Sequence, residues 1–432
     1  MNDSSHSTAT DPDLIIEMAL RVWGYKQGEV VSLMIHLGDR LGLYRALQGA
    51  GPVTAGGLAE RTGLHARWLL EWLRGQAAAG LIGSGDGEVF EFSPEAAALL
   101  ADEDTSLWFA AGAFHGAAAT ADTVERLAES FRTGGGLSYD DFGPETAGWV
   151  ERTLGPWSRL ALVPTILPAL DGVTARLEAG ARVADVGCGS GVTLLTLAAA
   201  FPRSDFEGYD PSRHAIERAE RHRASQHLAN ARFHHEAAEG LPTDEAFDLV
   251  LTFDCLHDMP HPERAARAVR RCLKTDGTWL IKEIRAGETW QDNLAHPVAA
   301  MFYGDSVATC LPSGLSEPDG AGLGTLGLPP SRLEGLCRDA GFGRFTVHDV
   351  ADPANLYNEV RPEPADPPSA AGRRDHGVPR AYGLACAVRM LRRNTRPAAT
   401  VAPASQARAI SSGPPPLKPW VRMASVRMRK AP

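Results

Sequence analysis

Residues 181–210 read ARVADVGCGSGVTLLTLAAAFPRSDFEGYD. The short apolar run at 183–186 predicts a buried parallel strand, and the apolar run at 192–201 predicts a helix that a proline ends. A second predicted strand, at 206–209, is followed directly by Asp210. The order of strand, glycine-rich loop, helix, strand and acid indicates half of a doubly wound nucleotide-binding fold.

The loop between the first strand and the helix carries glycines at alternate positions, Gly187, Gly189 and Gly191. Glycines let backbone N–H groups approach a ligand closely, and Asp210 lies where a carboxylate can accept both hydroxyls of a ribose. Asp185 precedes the loop, where a carboxylate would repel a pyrophosphate but would suit a cationic ligand with an amino group. A flavin or nicotinamide site, or a turn without a ligand, remains the alternative.

The stretch DVGCGSG (185–191), with an acid after the second strand, resembles motifs I and II of class I S-adenosylmethionine-dependent methyltransferases. The resemblance implies S-adenosyl-L-methionine as the cofactor. It also implies an α/β fold, with a Rossmann-like seven-stranded methyltransferase domain. We place that domain at residues 176–361.

The composition of the 432-residue chain, with 44% hydrophobic and 22% charged residues, is ordinary for a soluble globular protein of two domains. No apolar run reaches about 18 residues, so we expect no membrane span. The polar N-terminus lacks a signal-peptide pattern, which favours a cytoplasmic protein. The six cysteines form no CxxC pair, so the sequence predicts neither a disulfide framework nor a zinc site.

The net charge of −10 is unevenly distributed. From residue 371 to the end, thirteen basic residues stand against one acid, so this part carries +12 and the rest −22. The negative charge of residues 1–370 argues against binding to nucleic acid, whose phosphates are also negative. We expect residues 1–12 and the basic Pro/Ala/Arg-rich tail, 362–432, to be disordered.

Residues 13–105 predict a mostly helical domain that contains a winged helix. Two helices, with a break near residues 24–28, would precede a helix-turn-helix at 53–79 and a hairpin wing at 80–92. The would-be recognition helix offers only Arg67 and Arg74, with Glu71 between them, so DNA contact is disfavoured. The stretch is similar to the dimerisation element of plant-type small-molecule O-methyltransferases and their bacterial relatives, which implies a homodimer.

Residues 106–175 predict a helical connector between the two domains. In the resembling enzymes the connector closes over cofactor and substrate, so Tyr139 and Phe142 are candidate substrate residues. They could equally pack the domain junction. An insertion at 287–328 is long enough to be a lid or substrate wall, with Met301, Phe302 and Tyr303 as its adaptable lining.

The carboxyl ends of the later strands supply further candidates, because ligands bind there in such sheets. After the predicted third strand (231–235), Glu236, Ala237 and Ala238 fall where the family's adenine-contacting loop lies. Many members have Asp at the position of Ala237. The predicted fourth strand (247–253) adds Phe253 and Asp254 to the cofactor residues.

His257 follows that fourth strand, and a neutral imidazole can remove a proton from a phenol-like hydroxyl near neutral pH. The His-Asp pair resembles a motif of plant O-methyltransferases, which implies that His257 is the general base and that Glu283 orients it. The alternatives are a helix-capping role for His257 and a salt bridge from Glu283 to Lys282 or Arg285. We predict no metal, because His257, Asp258 and His261 have no further ligand in the sequence.

The sequence therefore predicts a methyltransferase acting on a small molecule, most simply on a hydroxyl of an aromatic or polyketide-like metabolite. The alternative is an S-adenosylmethionine-binding transcriptional regulator that uses the winged helix for DNA.

Overall fold

The computed structural model describes residues 10–115, 120–350 and 352–362. The predicted disordered tail, apart from its first residue, lies outside the described residues, as does most of the predicted disordered start. Among the described residues, no single helix is long and apolar enough to cross a membrane. One bent pair of helical segments, Pro144–Ala169 and Val173–Ala179, meets that test by length and composition only.

The first domain consists of five helices and two short strands around one apolar core. Its elements are α1 (Pro12–Arg40), α2 (Leu43–Leu47), β1 (Val53–Thr54), α3 (Ala55–Thr62), α4 (Ala66–Ala78), β2 (Val89–Phe90) and α5 (Pro94–Leu100). Thr54 caps α3 by accepting from the Gly57 amide. The wing is smaller than predicted: one bridge joins Gly83 to Glu91, and β2 pairs antiparallel with β1 instead.

The predicted break near residues 24–28 is wrong, because α1 is one continuous helix of 29 residues. Gly24 and Gly28 meet no described atom within 4 Å of an added Cβ, so neither is held in a special turn. Lys26 pairs with Glu29 at 2.7 Å across this stretch. A glycine in a helix costs about 1 kcal/mol relative to alanine, which weakens a helix without ending it.

The connector contains α6 (Ala121–Thr133), α7 (Pro144–Ala161) and α8 (Val173–Ala179), with short 3-10 helices at Ala111–Phe114, Tyr139–Phe142 and Leu167–Ala169. A π-helical turn, Leu162–Ile166, follows α7. Arg152 of α7 forms ion pairs with Asp39 of α1 and with Glu103. All three side chains are largely shielded from water, so this pairing fastens the connector to the first domain.

The second domain is built on a seven-stranded sheet, as predicted. Its strands are β3 (Arg182–Val186), β4 (Asp205–Tyr209), β5 (Ala231–His234), β6 (Phe247–Phe253), β7 (Leu273–Ile284), β8 (Arg344–His348) and β9 (Asn355–Arg361). The spatial order is β5-β4-β3-β6-β7-β9-β8, and β9 alone among them runs antiparallel. The order reverses between β3 and β6, so the crevice for a ligand lies at the carboxyl ends of these two strands.

Helices cover both faces of this sheet, and three short ones belong to the insertion after β7. They are α9 (Val192–Ala200), α10 (Arg213–Gln226), α11 (Pro262–Cys272), α12 (Trp290–Leu294), α13 (Ala299–Asp305), α14 (Leu311–Gly314) and α15 (Pro330–Asp339). The three in the insertion are α12 to α14. One core cluster joins the sheet to α11 and α15, and a second joins it to α8, α9 and the turns after α7. Burial on both faces explains why β3 and β6 are nearly continuous apolar runs.

The insertion after β7 pairs with the connector. The amides of Gly136 and Leu137 donate to the carbonyls of Leu315 and Pro312, each at 2.9 Å. An added Cβ on Gly136 would lie 1.9 Å from the Pro312 oxygen, so only glycine permits this approach. The insertion is therefore held against the segment that carries Tyr139.

Candidate active site

The glycine loop turns sharply at the carboxyl end of β3. All three glycines have positive φ angles: 72° at Gly187, 53° at Gly189 and 78° at Gly191. An added Cβ would come within 2.8 Å of Cys255 at Gly187 and within 2.5 Å of Phe233 at Gly191. At Gly189 it would meet no described atom within 4 Å, so the middle of the loop is open.

Asp210 reaches back to this loop from the end of β4. Its Oδ2 accepts from the Gly189 amide and its Oδ1 from the Ser212 amide, both at 2.8 Å. Burial raises the pKa of Asp210 to about 6, although these two amide bonds oppose the rise. The structure thus brings the predicted acid and the predicted loop into direct contact.

Asp185 is buried in β3, and its Oδ2 finds no hydrogen-bond partner among the described residues. Burial, and then the charge of Asp210, raise the pKa of Asp185 to about 7. An unpaired buried carboxylate is costly unless a ligand pairs with it. Because Asp185 lines a cavity at the loop, an ammonium group of a ligand is a suitable partner.

Two cavities meet at the glycine loop, and Gly187 lines both. The smaller, of about 500 Å³, is also lined by Asp185, Gly189, Phe253 and Asp254. The larger is an open cavity of about 850 Å³. Its wall includes Tyr139, Asp140, Tyr209, Ser212, Ala237, Ala238, Met259, His261 and Glu317.

Only some of the cofactor candidates that follow the later strands line a cavity. Ala237 and Ala238 line the larger cavity, whereas Glu236 is exposed and is absent from the described lining of either cavity. Asp254 adopts a left-handed conformation, with φ of 52°, and its carboxylate is held by Lys282 and by the side-chain amide of Asn355. Asp254 is therefore already paired, unlike Asp185.

His257 and Glu283 form a buried pair at the carboxyl ends of β6 and β7, and both are absent from the described lining of the two cavities. The Nδ1 atom of His257 lies 2.7 Å from Glu283 Oε2, and the Leu256 amide donates to Oε1 of the same carboxylate at 3.0 Å. Burial lowers the pKa of His257, but Glu283 and the neighbouring Cys310 outweigh it and raise the pKa well above its usual value. With Nδ1 held by the carboxylate, the hydrogen bond between the imidazole and Cys310 falls to Nε2.

Tyr139 is joined to the residue after His257. Its hydroxyl donates to Asp258 Oδ2 at 2.6 Å, across 119 positions of the chain. Burial raises the pKa of Asp258 to about 7, and burial together with that carboxyl raises the pKa of Tyr139 above its usual range. The prediction that Tyr139 belongs to the pocket matches its place in the cavity wall, while its role stays a prediction.

The four remaining substrate candidates are absent from the described lining of the two cavities. Phe142 is half-buried and Met301 is 53% exposed. Phe302 is buried in a small separate cluster, and the ring of Tyr303 lies 5.2 Å from that of Trp290. Phe302 and Tyr303 of α13 therefore pack against the end of β7 and other parts of the insertion.

Sequence reasoning did not single out Asp140 or Cys310. Asp140 accepts from the Ser212 hydroxyl at 2.6 Å and from the Arg213 amide at 3.2 Å, so it binds the connector to the turn after Asp210. Cys310 lies within reach of His257. Neither contact had a signal in the sequence, because each joins segments more than 50 residues apart.

Two family models match the chain. Residues 177–311 match a model described as a methyltransferase domain, and residues 29–102 match an Rv2258c-like winged HTH domain. The chain is 30% identical over 184 residues to a ubiquinone biosynthesis O-methyltransferase of Ralstonia nicotianae. That match covers 40% of this chain and 74% of the relative.

Solved structures show the same overall fold at lower identity. The mitomycin 7-O-methyltransferase MmcR superposes with a TM-score of 0.58 at 22% identity, covering 81% of this chain and all of that one. Human N-acetylserotonin methyltransferase, solved in complex with S-adenosylmethionine, gives a TM-score of 0.56 at 17% identity, covering 84% and 99%.

Proposed function

Because the chain belongs to the S-adenosylmethionine-dependent methyltransferases, we propose that it methylates a hydroxyl group of a small molecule, with His257 as the general base. The observation that carries this proposal is the buried His257–Glu283 pair at the carboxyl edge of the sheet. Cys255, two residues before His257, packs against the glycine loop at Gly187. An acid-held imidazole in that position suits the removal of a proton from an acceptor.

The residues around the two cavities fit the cofactor. The orphaned oxygen of Asp185 suits the ammonium of its methionine part, and the open loop at Gly189 leaves room for close contact. Asp210 suits the ribose hydroxyls, and Ala237 and Ala238 would lie beside the adenine. When bound, S-adenosylmethionine supplies an activated methyl group on a sulfonium.

The chain's own residues would then position the acceptor and take its proton. Glu283 accepts the Nδ1 proton of His257. The raised pKa of His257 favours the imidazolium, so the ring must first lose its Nε2 proton to solvent before Nε2 can receive the proton of the acceptor hydroxyl. The Leu256 amide holds the carboxylate in place, so the imidazole is oriented before the acceptor arrives. Burial of both side chains excludes water from the proton-transfer path.

We propose an aromatic or polyketide-like metabolite as the acceptor. The named O-methyltransferase relatives act in small-molecule pathways, and the larger cavity, of about 850 Å³, could admit such a molecule beside the adenosine site. A screen of phenolic metabolites with a labelled methyl donor would identify it.

The regulator alternative is not favoured. Arg67 pairs with Glu71 at 2.6 Å, and Arg74 pairs with Glu88, so both arginines of α4 are matched by acids. A DNA-binding helix needs unpaired positive charge facing the phosphates. We propose instead that the first domain forms a homodimer, which the exposed apolar side chains of α1 support.

His257→Gln tests the base, because glutamine can occupy a similar space but cannot accept a proton. We expect kcat to fall by about 10²–10⁴-fold while the affinity for S-adenosylhomocysteine, measured by calorimetry, is unchanged. Glu283→Gln should give a smaller loss. His296→Gln, on a half-buried histidine of the insertion that is absent from the described lining of both cavities, is the control and should turn over normally.

The acceptor itself offers a second test. A more acidic phenol needs less help from a base, so the defect of His257→Gln should shrink as the pKa of the acceptor falls. If His257→Gln turns over like the wild-type protein with every phenol, methyl transfer here needs only proximity and the base assignment is wrong.

A further inference from the structure

A cluster of metal-ligating side chains lies beside the proposed base. His257 and Asp258 come from the turn after β6, and Cys310 comes from a π-helical turn, Ser306–Cys310, in the insertion. One potential ligand atom of each lies within 4.8 Å of the other two, and all three residues are buried. We call this set the His–Asp–Cys cluster. Zn²⁺ and similar cations bind imidazole, carboxylate and thiolate together, whereas Mg²⁺ and Ca²⁺ prefer oxygen alone.

Each member of the cluster is held by a second polar group. Glu283 holds Nδ1 of the histidine at 2.7 Å, which leaves the opposite ring nitrogen as the candidate metal ligand. Tyr139 donates to Asp258 Oδ2 at 2.6 Å, and Thr325 donates to Cys310 Sγ at 3.0 Å. Such outer partners orient ligands and tune metal affinity, and here all three ligands have one.

The spacing is close to what a tetrahedral ion requires. Metal bonds of about 2.0–2.3 Å place tetrahedral ligands roughly 3.3–3.8 Å apart, so the cluster must contract by at most about 1.5 Å. Side-chain rotation can supply that movement. Tyr139 lines the larger cavity and bonds Asp258, so the cluster lies one side chain behind the wall of that cavity.

The charges also balance. A neutral imidazole, a carboxylate and a thiolate together carry −2, which matches a divalent cation in a buried site. Cys310 is a free thiol in this structure, so coordination would release its proton to solvent. Three protein ligands leave a fourth position for water or another small ligand, as in zinc sites that are not purely structural.

We propose that the His–Asp–Cys cluster binds a thiophilic divalent cation through His257 Nε2, one oxygen of Asp258 and Cys310 Sγ, with Zn²⁺ as the probe. A second consequence rests on the proposed function. The ion takes the same lone pair of Nε2 that would receive the acceptor's proton, so an occupied cluster blocks methyl transfer. Divalent zinc is then a reversible inhibitor of this protein.

Binding is tested on the full chain, reduced and treated with EDTA. Zn²⁺ titrated against a competing chelator should occupy one site per chain, and Co²⁺ should give a thiolate charge-transfer absorption band. Cys310→Ser should weaken zinc binding at least about tenfold and remove the band. Cys337→Ala, which removes another buried thiol, is the matched control and should retain both signals.

Asp258→Asn provides a second variant, since it removes the carboxylate ligand and keeps the thiol. It should weaken zinc binding while the cobalt band survives at higher Co²⁺. Equal zinc affinity and an unchanged cobalt band in Cys310→Ser would overturn the site. Competition by Mg²⁺ at concentrations similar to Zn²⁺ would also contradict it, because Mg²⁺ avoids thiolate.

Inhibition is measured separately as methyl transfer against rising Zn²⁺. Wild-type turnover should fall as the site fills and return with EDTA, and Cys310→Ser should need at least about tenfold more Zn²⁺ for half-inhibition. Stoichiometric binding without inhibition would overturn the second consequence and count against His257 as the base. If no acceptor is methylated under any condition, the proposed function fails, while the binding result still decides the site.

Discussion

Asp185 combines burial, an unpartnered oxygen and a pKa raised to about 7. A buried carboxylate oxygen that has no hydrogen-bond partner in the free protein gains one when a cationic ligand binds, and this gain adds to the affinity for the ligand. Charge-assisted hydrogen bonds contribute about 1.5–3 kcal/mol, which corresponds to roughly 10–100-fold in affinity. The residue thus links the stability of the free protein to cofactor binding.

We predict that Asp185→Asn weakens S-adenosylhomocysteine binding at least about tenfold in calorimetry. The same change should raise the melting temperature of the free protein, because it removes a buried charge. Asp205→Asn, on an exposed acid at the opposite end of β4, is the control and should alter neither quantity. A destabilised Asp185→Asn protein, or one with full affinity, would contradict this account.

The pH dependence of binding follows from the same carboxyl. The charged form is the one that pairs with an ammonium, and its pKa in the free protein is about 7, so affinity should rise from pH 6 to pH 8 and then level off. Asp185→Asn should flatten that rise. The other titratable groups that face this carboxyl or share its cavity are Asp210, Cys188, Cys255, Glu151 and the Lys282–Asp254 pair.

Folding stability should change with pH in the opposite direction to cofactor binding. The folded pKa of about 7 exceeds the ordinary value of 3.8, so the folded state binds this proton more tightly than the unfolded state does. The contribution of Asp185 to stability therefore falls as pH rises from about 4 to about 7 and is constant above. Urea unfolding of wild type and Asp185→Asn across this range would measure it.

Among the elements, the segment from Gly136 to Asp141 joins most parts of the site. Gly136 and Leu137 bond the insertion, Tyr139 bonds Asp258, and Asp140 bonds the Ser212 hydroxyl. One short segment thus touches both the proposed acceptor side and the proposed cofactor side. Its position depends on the close approach of Gly136 to the insertion.

We predict that Gly136→Ala displaces this segment, because its Cβ would lie 1.9 Å from the Pro312 oxygen. Stability should fall by about 1–3 kcal/mol in urea unfolding, and hydrogen exchange should speed up over residues 136–141. Gly135→Ala is the neighbouring control, since its Cβ would meet its nearest described atom, Thr133 Oγ1, at an ordinary 3.5 Å. Equal protection from hydrogen exchange over residues 136–141 in the two variants would show that other contacts hold the segment in place.

Local patterns predicted most strands to within one or two residues, because burial on both faces marks each strand with apolar residues. Strand β7 is the exception. Residues 274–277, Lys-Thr-Asp-Gly, are typical of a turn, yet the strand begins at Leu273, which pairs with Phe247 across a register shift. The contact of Asp210 with the glycine loop could be predicted, because a βαβ unit brings the carboxyl ends of its two strands together. The Tyr139–Asp258 hydrogen bond and the position of Cys310 could not be predicted, because both depend on how segments distant in sequence pack together.

At the scale of the whole molecule, α1 leaves a long apolar surface uncovered. Among its 29 residues only Ile35 and Gly38 are buried, and the exposed apolar side chains include Ile15, Met18 and Val22. A helix of this length measures about 43 Å, and an apolar face of that extent in water usually marks an interface. This is the face through which we propose that two copies associate.

We predict that the double change Met18→Glu and Val22→Lys converts the protein to a monomer. Both side chains are 62% exposed and lie four residues apart on one stripe, so charges there oppose association without disturbing this chain's own core. Glutamate four residues before lysine also supports the helix, so helicity should be retained by circular dichroism. Sedimentation velocity measures the change in mass.

Trp68→Glu is the matched control, because this tryptophan of α4 is 79% exposed but lies outside the α1 stripe. It should leave the protein dimeric. If the dimer forms through α1, the monomeric variant should also melt at a lower temperature, and the wild-type melting temperature should rise with protein concentration. If the wild-type protein sediments as a monomer at micromolar concentration, the proposed dimer does not form. If the double variant stays dimeric, the interface lies on a surface other than α1.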